Sequence, residues 1–285
     1  MSDTSDGTLV EEESESKVRL DTEAENDARS FADPSEDDDE DAKEIPAVEE
    51  KPAFKIPQPD IQIHEGMFDS HRVRFLVYGE SGVGKTVFAS SWPSVIFLDI
   101  DDGMASVTRK VARIPIHSWV DLQDAYLFLK FGEHKFKTVV IDSLNETQHL
   151  AMQNTISTFP AIHRAYDDLP SISDYGKALD DFDKVVRYFR ALPMNIVFIA
   201  QVATKENEQQ QIQPHFTGKA TGRSVSRMMD CIAYMYKGES TDQRKPRLLA
   251  FDDVNFVAKD RSDRLPITIT NPTYDKLLSY WTKKG

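Results

Sequence analysis

From Val73 onward the chain alternates between two patterns of apolar residues. Short runs with almost no polar position, VRFLVYG (73–79), SVIFLDI (94–100), KTVVIDS (137–143) and MNIVFIAQ (194–201), are separated by stretches in which apolar residues recur every three or four positions. The first pattern suits strands buried on both faces, because a half-buried strand alternates apolar with polar. The second suits helices. KTVFASSW (85–92) opens one, and DLQDAYLFLK (121–130) forms another with Asp121 as N-cap. A third runs from Leu144 to about Thr158, and DYGKALDDFDKVVRYFRAL (174–192) ends before Pro193. ARIPIH (112–117) is a weaker strand, since Pro115 cannot donate to a ladder. This alternation predicts an α/β fold with a mainly parallel central sheet and helices on both faces. Beyond residue 230, DCIAYMYKG, RKPRLLAFDDV and PITIT are strands with short turns, expected to extend the sheet in antiparallel fashion.

Charge changes the picture only at the N-terminus. Of 48 acidic and 34 basic residues, residues 1–50 hold 20 and 4, a net of −16. The other 235 residues hold 28 and 30, a net of +2, so the acidity belongs to one segment. That segment is poor in large apolar residues and carries a run of like charges from Glu36 to Asp41, so it is expected to be disordered. KPAFKIPQPDIQ after it is punctuated by proline and extended. The expected organisation is therefore an acidic tail (1–50), a linker (51–70) and a folded core (71–285). The tail could solubilise the protein, engage a basic partner or compete with nucleic acid for the core's basic loops. Cys231 is the single cysteine, which excludes an intrachain disulfide and fits a reducing compartment. The scattered histidines argue against structural zinc. Without an apolar run of about 18 residues or a signal pattern, a cytoplasmic protein without a membrane span is expected.

GESGVGKT (79–86) carries Gly, Gly, Lys and Thr at every fixed position of G-x-x-x-x-G-K-[ST], between a buried strand and a helix. Gly79, Gly82 and Gly84 let the backbone turn tightly and aim successive N–H groups into an anion-binding concavity. Glu80, Ser81, Val83 and Val87 complete the loop and its exit. Lys85 is expected to reach the β- and γ-phosphates of a nucleotide, and Thr86 to bind Mg²⁺ through its hydroxyl. No residues resemble a guanine-reading motif, which favours ATP.

Asp142 follows four β-branched residues, Thr138 to Ile141, and so sits at the carboxyl end of a buried strand, where parallel sheets bind ligands. It can hold the metal through water, although it or Ser143 could instead cap the next helix. IFLDIDDG (96–103) brings Asp99, Asp101 and Asp102 to another strand end. Asp101 is the candidate water-activating base, with Asp102 its rival. Gln201 ends IVFIAQ (196–201), where an amide can sense the γ-phosphate and pass the difference to the following loop.

Between Gln201 and Met228 the chain is polar, glycine-bearing and longer than an ordinary βα connection. Lys205, Lys219, Arg223 and Arg227 offer charge for phosphates and Phe216 offers a ring for stacking, as binding of single-stranded DNA requires. The stretch around His163 and Arg164 is a second candidate of this kind.

Taken together, the phosphate loop, LDID, VVIDS and FIAQ resemble the RecA-like P-loop ATPases over about Val73 to Arg261. FKTVVIDSLNE, FTGKA, DCIAYM and VAKDR resemble in particular the core-only phage relatives of RecA, which are ATP-dependent single-strand annealing or recombination proteins. The resemblance implies ATP hydrolysis with Mg²⁺, a DNA-contacting loop after Gln201, and a ring or filament with ATP between subunits. It further implies that Lys259 and Arg261 reach across to the neighbour's nucleotide. Two departures stand out. Asp101 replaces the family glutamate, one methylene longer, so slow turnover is expected; Ala200 precedes Gln201 where RecA has Asn. A hexameric helicase motor and a non-catalytic ATP-dependent regulatory or assembly protein are the alternative functions.

Overall fold

Each apolar run becomes a strand, and the pairing puts their carboxyl ends side by side. The structure is a computed structural model that describes residues 68–283 apart from 71, 160–163, 165, 167–168, 204–210 and 241–244. The acidic tail and residues 51–67 of the expected linker lie outside the described residues. All described residues belong to one compact unit, Ile63–Gly285. In chain order the elements are β1 (Arg74–Gly79), α1 (Lys85–Ala89), β2 (Val95–Asp99), β3 (Ala112–Pro115), α2 (Trp119–Phe131), β4 (Thr138–Asp142), α3 (Leu144–Thr158), α4 (Ile172–Arg190) and β5 (Asn195–Gln201). There follow α5 (Lys219–Met228), β6 (Cys231–Lys237), β7 (Arg247–Ala250), β8 (Lys259–Asp260), β9 (Thr268–Thr270) and α6 (Tyr274–Trp281).

Among the described residues these strands form one nine-stranded sheet in the order β3-β2-β4-β5-β1-β6-β7-β9, with β8 beside β6. From β3 to β6 all pairs are parallel, and β7, β8 and β9 add antiparallel pairs. The expected fold class is therefore what the chain adopts. Successive residues of β1 feed two cores. Leu76 and Tyr78 pack with α2, α3, α4 and α5 on one face. Phe75 and Val77 pack with Phe88 of α1 and Tyr274, Leu277 and Trp281 of α6 on the other. A strand covered on both sides has no polar face to show, which explains its unbroken apolar run.

Local chemistry moves several boundaries. The N-cap of α2 is Ser118, and Asp121 is its N3 residue in a capping box: the Ser118 hydroxyl accepts from Asp121 N, while Asp121 Oδ2 accepts from Ser118 N at 2.9 Å. Ser171 and Asp174 repeat the arrangement at α4, which starts at Ile172. Such caps contribute about 1 kcal/mol each. Ser143, rather than Asp142, caps α3. The strand from DCIAYM runs parallel to β1, a correction to its expected antiparallel direction, because α5 carries the chain back across the sheet first. Arg164 is likewise not a surface cation. Its side chain is 3% exposed and paired with Asp174 at 2.8 Å, and His163 lies outside the described residues.

Candidate nucleotide-binding site

At the end of β1 the backbone turns through Gly82 (φ 72°) and Gly84 (φ 105°), left-handed conformations that strain any residue with a Cβ. A Cβ on Gly79 would overlap the Met235 carbonyl oxygen on β6, and one on Gly84 would lie 2.6 Å from Nε of Arg247. Val83 is buried and pins the loop to the core, whereas Glu80, Ser81 and Gly82 are exposed. Lys85 is also buried. Its ammonium donates to the carbonyls of Gly79 at 2.8 Å and Glu80 at 2.9 Å. Desolvation lowers its pKa, opposed by the charges of Asp142, Glu80 and Asp101. A cation held by two neutral carbonyls among three carboxylates gains strongly from an anionic phosphate oxygen in reach.

The Thr86 hydroxyl donates to Asp142 Oδ2 at 2.7 Å, joining the loop to the end of β4. Burial raises the Asp142 carboxyl to about 6; Asp101 and Asp99 push the same way, while Thr86 and Lys85 oppose. A hydroxyl and a carboxylate side by side are hard oxygen donors that suit Mg²⁺ completed by phosphate oxygens and water. Held by these two side chains, Mg²⁺ would supply neutralisation of phosphate charge and polarisation of a phosphoryl group.

The three aspartates after β2 separate into distinct environments. Asp99, 1% exposed, accepts from Arg113 at 2.8 Å and from Gly103 N, and so holds its own turn together. Asp101 Oδ1 accepts from Ser143 Oγ at 3.4 Å, which places it beside Asp142. Although the residue as a whole is exposed, desolvation of its carboxyl and then Glu146 raise its pKa. Asp102 is exposed and adopts φ 53° as the cap of a short 3-10 turn, Gly103–Ser106.

Gln201 stands opposite Gly79 in the register of β5 with β1, and Asp142 opposite Asp99 in that of β4 with β2. Two residues that sequence reasoning missed organise this edge. Asn145 Oδ1 accepts from Gln201 N at 2.8 Å, and its amide donates to the His215 carbonyl at 3.0 Å. One turn on, Gln148 exchanges hydrogen bonds with the backbone of Thr217. Two amides at i and i+3 on α3 thus grip both ends of the segment after Gln201. Their spacing was a readable signal, directly after VVIDS. Glu146, Gln201 and His215 share a cleft of about 260 Å³ with them.

The candidate DNA residues are placed differently from expectation. Lys205 lies outside the described residues. Lys219, Arg223 and Arg227 are on the helix α5, not on a loop, and their spacing of four aligns them as an exposed stripe. Phe216 is half-buried and packs against Phe182, with ring centroids 6.2 Å apart, so its ring belongs to the core surface and not to an open stacking platform. Lys259 and Arg261 do not meet the phosphate loop of their own chain. Lys259 Nζ donates to the carbonyls of Met229 at 2.7 Å and Ser226 at 3.3 Å, closing the end of α5. Arg261 is half-exposed and pairs with Asp230 at 2.8 Å, where β6 begins.

Among the described residues, no helix is long and apolar enough to cross a membrane. The family described as AAA domain matches residues 71–262, more than half of the chain. A solved structure of a DnaB-like replicative helicase, studied for its interactions with primase, aligns with 13% identity and a TM-score of 0.42, covering 70% of this chain and 56% of that one. The chain thus spans little more than half the length of that protein. No curated protein sequence matches the chain.

Proposed function

The chain belongs to the AAA domain family, and from that premise we propose that it is a Mg²⁺-dependent ATPase of RecA-like type that acts on single-stranded DNA in phage-type recombination, annealing or replication. The observation that carries this reading is the convergence of Lys85, Thr86 and Asp142, with Asp101 beside them and Gln201 on the neighbouring strand end. In it, Lys85 and the loop amides bind the β- and γ-phosphates. Thr86 and Asp142 hold the metal, Asp101 orients water, and Gln201 reports the γ-phosphate to the segment gripped by Asn145 and Gln148. The cationic stripe of α5, Lys219, Arg223 and Arg227, lies just beyond that segment and supplies phosphate contacts for DNA.

The proposed site is incomplete in one copy. Arg261 lies at the amino end of the parallel strands and Lys85 beyond their carboxyl end. Head-to-tail association would bring the arginine of one copy to the nucleotide of the next, giving a ring or filament. The acidic segment 1–50 and linker 51–70 are then accessory to the ATPase core, and the setting is the cytoplasm of a bacterium or infected host.

Steady-state ATP hydrolysis with and without single-stranded DNA tests the reading. Stimulation by DNA, abolished by Lys85→Ala, is expected, and annealing against unwinding assays then divide a recombinase from a helicase motor. Nucleotide binding without turnover or DNA affinity would overturn the reading in favour of a regulatory protein.

A further inference from the structure

Tyr78 is the last residue before the phosphate loop and is fully buried. Its hydroxyl lies 2.8 Å from the carbonyl of Val257 and 3.1 Å from that of Ile212, residues far away in the chain. Those two segments are also bonded to each other: Val257 N donates to Ile212 O and Ile212 N to Asn255 O, each at 2.8 Å. Each leads to a part of the proposed machinery. From Ile212 the chain passes to His215, whose N–H donates to the Gln201 carbonyl. From Val257 it enters β8, which begins with Lys259.

The phenol ring is held as firmly as its hydroxyl. It packs at 5.2 Å against Tyr234, which in turn packs against Tyr236 and Phe256, both at 5.4 Å. Burial pushes the phenol pKa up, so the hydroxyl stays a donor. One proton faces two carbonyls, and in a buried site no solvent stands by to compensate a displacement. Were nucleotide binding to displace the end of β1, the fixed ring would carry both carbonyls along or change which of them the hydroxyl serves.

We infer that the Tyr78 hydroxyl is a positioning group that transmits occupancy of the phosphate loop to residues 211–217 and to β8, which carries Lys259 and leads into Arg261. The inference rests on the nucleotide reading above and adds the route by which the site would govern DNA contact and the neighbouring copy. A purely structural tyrosine would stabilise the fold without linking these segments.

Hydrogen exchange of the full chain, with and without a non-hydrolysable ATP analogue and Mg²⁺, separates the two in wild type and Tyr78→Phe. In wild type, nucleotide should slow exchange about fivefold or more at the phosphate loop, at 211–217 and at 255–261. In Tyr78→Phe, nucleotide affinity should stay within about twofold and the loop remain protected, while the response at the two distant segments is lost. That retained protection also reports an intact fold. Full distal protection in the variant, or none in wild type whose loop is protected, would overturn the coupling. Absence of protection at the wild-type loop itself is a different result, one that removes the nucleotide reading.

Discussion

The Thr86 hydroxyl donates to Asp142 Oδ2 across 2.7 Å, so the first turn of α1 and the end of β4 are joined side chain to side chain. A cation held as proposed would find its protein oxygens already neighbours, with little to reorganise. Replacing Asp142 by Ala removes one donor and leaves the Thr86 hydroxyl unpaired. Turnover with Mg²⁺ should fall by about two orders of magnitude or more, with a smaller effect on metal-free nucleotide affinity. Steady-state kinetics over a Mg²⁺ titration, beside nucleotide binding in EDTA, checks this.

Gly84 should tolerate no side chain. Its φ is 105°, and an added Cβ meets the Arg247 guanidinium at 2.6 Å. Gly84→Ala should deform the loop and weaken ATP binding by about tenfold or more while the fold survives, because the strain is local. Calorimetric titration with ATP and Mg²⁺, accompanied by circular dichroism, reads both effects.

Asn145→Ala strands the Gln201 amide and frees the His215 carbonyl. The loss should be about 1–3 kcal/mol in stability, measured by urea unfolding. Cleavage by a limiting protease should rise first in the segment after Gln201, since Asn145 grips both its ends.

Much of this site was legible because its signals are local. Four fixed residues mark the phosphate loop, and Asp142 ends an unbroken β-branched run. What escaped depended on longer range. The helix α5 was hidden because KATGRSVSRM carries only Thr221, Val225 and Met228 on its buried side, a stripe that tertiary packing alone makes sufficient. Without that helix the segment reads as a cationic loop and β6 as antiparallel, whereas α5 orders the cationic face and makes β6 parallel to β1. Asp121 reads as a cap from sequence because Asp serves well at either end of a capping box. The inward fate of Arg164 and Phe216 could not be read from composition, because buried pairing satisfies an arginine as well as DNA does.

The Arg164–Asp174 pair gives a pH test with a defined sign. Hydrogen bonds from Arg164, then from Ser171, hold the Asp174 carboxyl well below the usual carboxylate range. A depressed folded pKa stabilises the protein fully above about pH 4, the unfolded value, and that contribution is lost as pH falls further. Arg164→Ala should lower the Tm at pH 7 by about 5–10 °C. The gap between variant and wild type should shrink as the solution is acidified below pH 4, as thermal unfolding at stepped pH would show.

If Arg261 serves the neighbour's nucleotide, two dead proteins should revive one another. Lys85→Ala and Arg261→Ala each lose turnover alone. Mixed in equal amounts, about a quarter of the junctions pair an intact lysine with an intact arginine, and turnover should return to about that fraction. No recovery on mixing, with both variants folded, counts against sharing of the site.

Lys85 and Arg261 lie beyond opposite ends of the same parallel strands, and that placement has a sense of direction built into it. An open row of such molecules would have unlike tips, one presenting an uncompleted phosphate cradle and the other an arginine held by its own Asp230. Growth at the two tips would then depend on nucleotide differently, and a copy damaged on one side only would halt the row from that side.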